Sequence, residues 1–217
     1  MLILASNSPR RRQLLDLTGL DYQVLAASVD ESVRTDEPPE AYVHRLARQK
    51  AQAVATLIPP AERSQAVILA ADTAVVLGSN ILGKPANAVE AEIMLRRLRN
   101  RSHQVYTALC VLTPGDGACL SELVATDVTI RDYSDEEIQA YIQSGDPLDK
   151  AGAYAIQQAA FHPVQNLQGC YANVMGLPVC RLAGMLASLG IQPGNSILAA
   201  CQAAFDHPCE LYSNVIG

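Results

Sequence analysis

Several features are missing from this chain, and each absence closes off a class of protein. No apolar run approaches the ~20 residues that a membrane-spanning helix needs. Cys110, Cys119, Cys170, Cys180, Cys201 and Cys209 include no C-x-x-C pair, so neither a zinc site nor a redox motif is indicated, and buried thiols are expected. His44, His103, His162 and His207 contain no pair at metal-ligand spacing and read as structural or surface residues. Basic residues are outnumbered 16 to 22, giving a formal net charge of −6, which argues against a nucleic-acid coat. A small polyanionic substrate stays compatible if the few cations converge on one cleft. No internal repeat and no flexible interdomain linker interrupts the 217 residues, so one domain or two closely packed lobes is expected. The opening MLILASNSPRRR puts its apolar stretch before its charges and is too short for a signal peptide. Residence in the cytoplasm follows as an expectation.

What is present is organised around Val67 to Pro85, VILAADTAVVLGSNILGKP. The apolar run closed by Gly78, Ser79 and Asn80 predicts a buried strand. Asp72 interrupts it. A buried carboxylate needs a cation, a metal or hydrogen-bond donors, unless it sits at a bulge and merely caps a loop. Beyond the turn, Lys84 is fixed between Gly83 and Pro85.

Two other stretches break local rules. Leu2 to Ala5 reads as a short strand, followed by Ser8 as a helix N-cap and Pro9 at the first helical position. Arg10, Arg11 and Arg12 then add positive charge to the positive end of the helix dipole. An anion held by free backbone N–H groups, hydroxyls and guanidiniums would reconcile this; a solvated basic turn is the alternative. In the helix expected over about Glu40 to Ile58, Val43, Leu46, Ala47, Ala51, Val54, Leu57 and Ile58 form one apolar arc. Lys50 falls in the middle of that arc. It either snorkels to the rim or points into a cleft that awaits an anion.

The remaining pattern alternates helices and strands. Tyr22 to Ala27 reads as a strand. Asn87 opens a helix with Ala91, Met94, Leu95 and Leu98 inward. Val105 to Leu112 and Leu120 to Ile130 form an antiparallel hairpin, and Ser134 to Glu137 is a capping box. Ser144 to Gln157 starts as a turn and ends as a small-residue strand. Leu177-Pro178 opens a last core helix ending near Gly190, and Asn195 caps one more. The tail from Asp206 shows no periodicity.

The ordered set Ser6-Asn7-Ser8-Pro9-Arg10-Arg11, Val29-Asp30-Glu31, Arg48-Gln49-Lys50-Ala51, Ala71-Asp72-Thr73, Gly83-Lys84-Pro85, Asp146 to Tyr154 with Gln157, and Gly176-Leu177-Pro178 resembles the Maf family of nucleoside triphosphate pyrophosphatases, from Leu2 to about Leu189. The resemblance implies a mixed α/β fold: a twisted central sheet with flanking helices, and two lobes around a nucleotide cleft, often in a homodimer. Residues 1–190 would be that domain and 191–217 a C-terminal helical extension and tail. It implies hydrolysis of the α–β phosphate bond with a divalent cation, magnesium or manganese. Asp72 matches the catalytic aspartate, as general base or metal ligand, and Glu31 would be a second metal ligand. Ser8, Arg10, Arg11, Lys50, Lys84 and Lys150 would hold the phosphates. Arg10, Thr73 and Gln157 match the branch acting on dTTP and UTP rather than 7-methyl-GTP. A regulator of cell division that binds nucleotide without turnover is the contrasting reading. An acid buried beside a phosphate cradle favours the enzyme.

Overall fold

The computed structural model describes residues 1–205 together with His207 and Cys209; the rest of the aperiodic tail lies outside the described residues. A single mixed sheet runs through the molecule. Its strands are β1 (Leu2–Leu4), β2 (Gln23–Val24), β3 (Val67–Leu77), β4 (Asn80–Leu82), β5 (Ser102–Thr113), β6 (Ala118–Ile130) and β7 (Val164–Gln168), in the order β2-β1-β3-β5-β6-β7 with β4 also on β3. The helices are α1 (Pro9–Asp16), α2 (Pro39–Leu57), α3 (Ala88–Leu98), α4 (Asp135–Gln143), α5 (Tyr171–Met175), α6 (Val179–Ser188) and α7 (Ile197–Ala204). No helix among the described residues is long and apolar enough to cross a membrane.

Side chains alternate across β3, and the two faces of its first half take different partners. Ile68, Ala70 and Ala74 pack with Val43, Ala47, Ala51 and Val54 of α2. Leu69 and Ala71 face Leu14 and Leu15 of α1 and Leu182 and Leu186 of α6. Farther along, Val75 joins Leu95, Leu98 and Ile138 in a third cluster under α3 and α4. The sheet thus carries two packed ends, which gives the expected two lobes.

The cleft arises from a gap in strand pairing. On one edge β3 pairs continuously with β5 from Ile68 to Val76. On the other it pairs in parallel with β1 at Val67–Leu69 and antiparallel with β4 at Val75–Leu77. Between those pairings, residues 70–74 have no strand partner on that edge among the described residues, and Asp72 sits at the centre of the opening.

Several expected elements change. The strand expected over Tyr22 to Ala27 shrinks to Gln23–Val24. The small-residue strand toward Gln157 is absent. Two 3₁₀ turns, Asp146–Asp149 and Ala151–Ala153, stand there instead, because Gly152 (φ 69°) and Ala153 (φ 59°) take left-handed backbone that no strand accommodates. Val164–Gln168 pairs with β6 as a further strand, one not expected from the sequence. Asn195 does not cap α7. Ser196 occupies that position, and the Asn195 amide donates to the Leu17 carbonyl at 3.3 Å. Ile197 and Cys201 of α7 complete the core beneath α6. Of the cysteines, Cys110 and Cys201 are buried, the others intermediate, and all are free thiols.

Candidate active site

Asp72 lies on the face of β3 that looks at α2, and Lys50 rises from the middle of that helix to meet it. The ammonium is 2.6 Å from Asp72 Oδ1 and 2.6 Å from Glu31 Oε1. Asp72 is only 6% exposed. Burial holds its carboxyl above the usual range, against the opposing pull of Lys50 and Arg11. Glu31 sits on the loop before α2 with half its side chain in solvent. Burial pushes its pKa up, but the Lys50 hydrogen bond and charge prevail and leave it below the ordinary value. Two carboxylates of unlike basicity therefore share one cation. Arg45 fixes the Glu31 loop: its guanidinium donates to both Glu37 oxygens, at 2.6 and 2.7 Å, and to the Ser32 carbonyl at 2.9 Å.

The opposite face of β3 presents Thr73 to α1. Ser8 caps that helix through its Oγ, which accepts from the Arg11 amide at 3.4 Å. The arginines separate at this point. Arg12 is exposed away from the cleft, Arg10 lines it half-buried, and Arg11 turns inward. Arg11 donates through Nε to the Gly176 carbonyl at 2.9 Å, through Nη1 to Ser6 Oγ at 3.4 Å and through Nη2 to Thr73 Oγ1 at 3.2 Å. Its burial lowers the guanidinium pKa.

One cleft gathers both faces. Ser8, Arg10, Arg11, Glu31, Lys50, Asp72, Thr73, Lys84, Lys150 and Gln157 all line it, whereas Arg12 of the same basic turn does not. Lys84 and Gln157 are exposed at its rim. Lys150 is buried, and its ammonium donates to the Asp146 carbonyl (2.6 Å), Asp146 Oδ1 (2.9 Å) and Asp149 Oδ1 (2.6 Å). An ammonium has three donors, and all three are engaged within its own loop. That loop is tied across the cleft mouth by the Gly152 amide, which donates to the Gly83 carbonyl at 3.0 Å.

Sequence reasoning missed Tyr42. It lies two turns before Lys50 on α2, lines the cleft, and donates its hydroxyl to the Glu31 carbonyl at 3.0 Å. Burial, with the charges of Asp72 and Glu31, pushes its pKa up to about 12. Its spacing from Lys50 was the available signal. It also missed Thr107 and Asn173, two buried polar residues behind Thr73; a threonine in the largely apolar run VYTALCVL was the clue. His103 is buried and bonded to the Tyr154 hydroxyl at 2.8 Å, and burial lowers its pKa to about 4.

The donor set suits a hard divalent cation. Glu31 and Asp72 already converge on one positive centre, and both offer carboxylate oxygen. No group of three or more His, Cys, Asp or Glu among the described residues forms a self-sufficient metal cage. Two carboxylates would share the ion with phosphate oxygens and water, the usual manner for magnesium.

Residues 1–189 match the family described as Maf-like protein. The dTTP/UTP pyrophosphatase of Anaeromyxobacter dehalogenans (strain 2CP-C) is 48% identical over 191 residues, covering 87% of this chain and 94% of that protein. The dTTP/UTP pyrophosphatase of Pseudoalteromonas atlantica is 45% identical over 192 residues, covering 88% and 98%. Among solved structures, the Staphylococcus aureus Ham1 protein aligns with a TM-score of 0.45 at 17% identity, covering 75% of this chain and 90% of that one, too loose a likeness to bear on the site. With the family pattern spanning residues 1–189 and relatives aligned along nearly their whole length, the chain belongs to the Maf family.

Proposed function

We propose that this chain hydrolyses nucleoside triphosphates between the α- and β-phosphates, with dTTP and UTP as preferred substrates, in the cytoplasm. The observation that carries the reading is Asp72, a buried carboxylate of raised pKa at the unpaired stretch of β3, inside a cleft lined by Arg10, Arg11, Lys50, Lys84 and Lys150. The names of the relatives support the same reading.

In this mechanism Asp72 accepts a proton from water as the water oxygen bonds to phosphorus. The α–β bridging bond breaks, and the products are a nucleoside monophosphate and pyrophosphate. A base of raised pKa suits the task, because it takes a proton more readily at neutral pH than an ordinary carboxylate. Arg10 and Lys84 hold the phosphates as charge builds on them, which is the main protein contribution to phosphoryl transfer. Arg11, engaged with Gly176 and Thr73, keeps the cradle in shape. Lys50 holds Asp72 and Glu31 in place until substrate arrives. Glu31 and Asp72 are the groups that would hold magnesium or manganese; the ion supplies Lewis acidity and charge neutralisation at the phosphates. On the cleft wall, the Gln157 amide offers both a donor and an acceptor to the acceptor–donor–acceptor edge of uracil or thymine.

The test is pyrophosphate release from dTTP, UTP, CTP, GTP and 7-methyl-GTP with magnesium or manganese. dTTP and UTP should give the highest kcat/KM. Superiority of 7-methyl-GTP defeats the base assignment, and nucleotide binding without pyrophosphate release defeats the enzyme.

A further inference from the structure

A chain of hydroxyls behind the cleft has a polarity that proton counting resolves. Thr107 lies on β5 directly opposite Thr73 and is fully buried. Its Oγ1 is 3.0 Å from the backbone carbonyl of Asn173 in α5. A carbonyl can only accept, so the one hydroxyl proton of Thr107 goes there. Thr73 Oγ1 lies 2.9 Å from Thr107 Oγ1. With the Thr107 proton already placed, Thr73 must donate in that contact. Arg11 Nη2 then donates to Thr73 Oγ1 at 3.2 Å, and a guanidinium has no acceptor capacity. Thr73 is left with no proton to offer and one lone pair free toward the cleft.

We infer that Thr107 is a positioning residue for base specificity: it fixes Thr73 as an acceptor only, and so selects bases whose N3 carries a hydrogen. The inference rests on the reading above, with UTP and dTTP as substrates, and sets the pyrimidine between Thr73 and Gln157, which line one cleft. The imide N3–H of uracil or thymine meets the Thr73 lone pair. In cytosine, N3 is an unprotonated acceptor, and two lone pairs would face each other. Gln157 alone cannot make this choice. Its amide is exposed, and a half-turn exchanges carbonyl for NH₂. Discrimination between UTP and CTP therefore falls to the hydroxyl whose direction is fixed from behind.

The experiment compares kcat/KM for UTP and CTP in the native chain, Thr107→Val, Thr107→Ser and Thr73→Val. Valine keeps the shape and removes the acceptor. The Asn173 carbonyl still receives the Gly176 amide at 2.9 Å, so no orphan is created. Thr73 is then free to donate, and the UTP-to-CTP ratio should fall roughly tenfold or more, mainly because CTP improves, since the penalty of facing lone pairs disappears. Thr107→Ser restores the proton relay and should keep the native ratio. Thr73→Val should lose the preference as well, and decides the matter if Thr107→Val does not fold. An unchanged ratio in folded Thr107→Val, or equal values for UTP and CTP in the native chain, overturns the inference while leaving pyrophosphatase activity standing. Absence of pyrophosphate release from every pyrimidine triphosphate would instead defeat the underlying reading.

Discussion

Lys50 Nζ lies 2.6 Å from Asp72 Oδ1 across the interface between α2 and β3, and the same ammonium lies 2.6 Å from Glu31. The lysine is embedded in an apolar helix arc, and the aspartate in an apolar strand. Each violates its own element's pattern, and each supplies what the other lacks. A buried acid alone, or a buried ammonium alone, is costly to keep charged. Paired, they leave charged groups at the floor of a cleft.

Asp72→Asn should abolish turnover and leave the fold intact. The exchange keeps the volume and removes the group proposed to take the proton. Loss of a general base costs on the order of 10²–10⁴ in rate. Lys50 keeps Glu31 as a partner, and the burial penalty on the carboxylate disappears, so thermal stability should hold. Pyrophosphate release near the native rate from a folded Asp72→Asn chain would rule out the mechanism.

Lys50→Met reverses sign between sequence and structure. In the sequence alone it adds an apolar side chain to an apolar arc, so stability should hold or rise. In the structure it strands Asp72 and Glu31 without their shared cation, and breaking a buried pair costs about 3–5 kcal/mol, less here because Arg11 remains near and Glu31 is half-exposed. The Asp72 pKa, already above its unfolded value, rises further. A folded acid with a raised pKa binds more protons than the unfolded chain, so the variant's stability should fall as pH rises above the ordinary carboxylate range and recover on acidification. The acid limb of its kcat/KM profile should move to higher pH. Melting temperatures measured across pH check the first point. A variant as stable as the native chain at neutral pH would contradict it.

Much of the site is legible because charges in apolar patterns are conspicuous. Asp72 in VILAADTAVVL, Lys50 in the α2 arc and the arginines at the start of α1 each stand out from their immediate neighbours. What a sequence pattern omits is where a side chain finds its partner. Nothing local separates Arg10 from Arg11, yet Arg11 alone reaches Gly176, 165 residues away. Lys150 reads as a cation for the triphosphate, whereas two acids within four residues engage it. Thr107 acquires meaning only through Asn173 and Thr73, brought together by strand register and by α5 packing beneath it. β7 escapes notice because VQNLQ lacks a long apolar run; β6 recruits it by pairing.

Gly152→Ala should lower both stability and substrate affinity. The residue has φ 69°, and a Cβ there would stand 2.9 Å from Val75 Cγ1. Left-handed backbone and a crowded strand side chain both resist the methyl group, at about 1–2 kcal/mol or more. Relief by shifting the loop would break the Gly152 amide's bond to Gly83, which holds Lys84 at the rim. The melting temperature should drop and KM for UTP should rise more than kcat falls. A native melting temperature and native KM would show that this loop does not shape the cleft.

Gln157→Glu should lower kcat/KM for dTTP and UTP more than for other nucleotides. The residue stands exposed on the cleft wall, at the end of the loop tied down through Gly152. A glutamate keeps the length and loses the NH₂. An ionised carboxylate can only accept, so it opposes at least one carbonyl of a uracil or thymine edge with its negative charge. Thr73, restricted to accepting by Thr107, cannot supply the lost donor. The same carboxylate suits a base that presents donors and positive charge, as a 7-methylated guanine does. The kcat/KM ranking across dTTP, UTP, CTP, GTP and 7-methyl-GTP should therefore shift away from dTTP and UTP, with loss on the order of tenfold or greater because a mismatched buried edge leaves polar groups unpaired. Thermal stability should not change, since the side chain is exposed. If the ranking stays as in the native chain, Gln157 does not read the base.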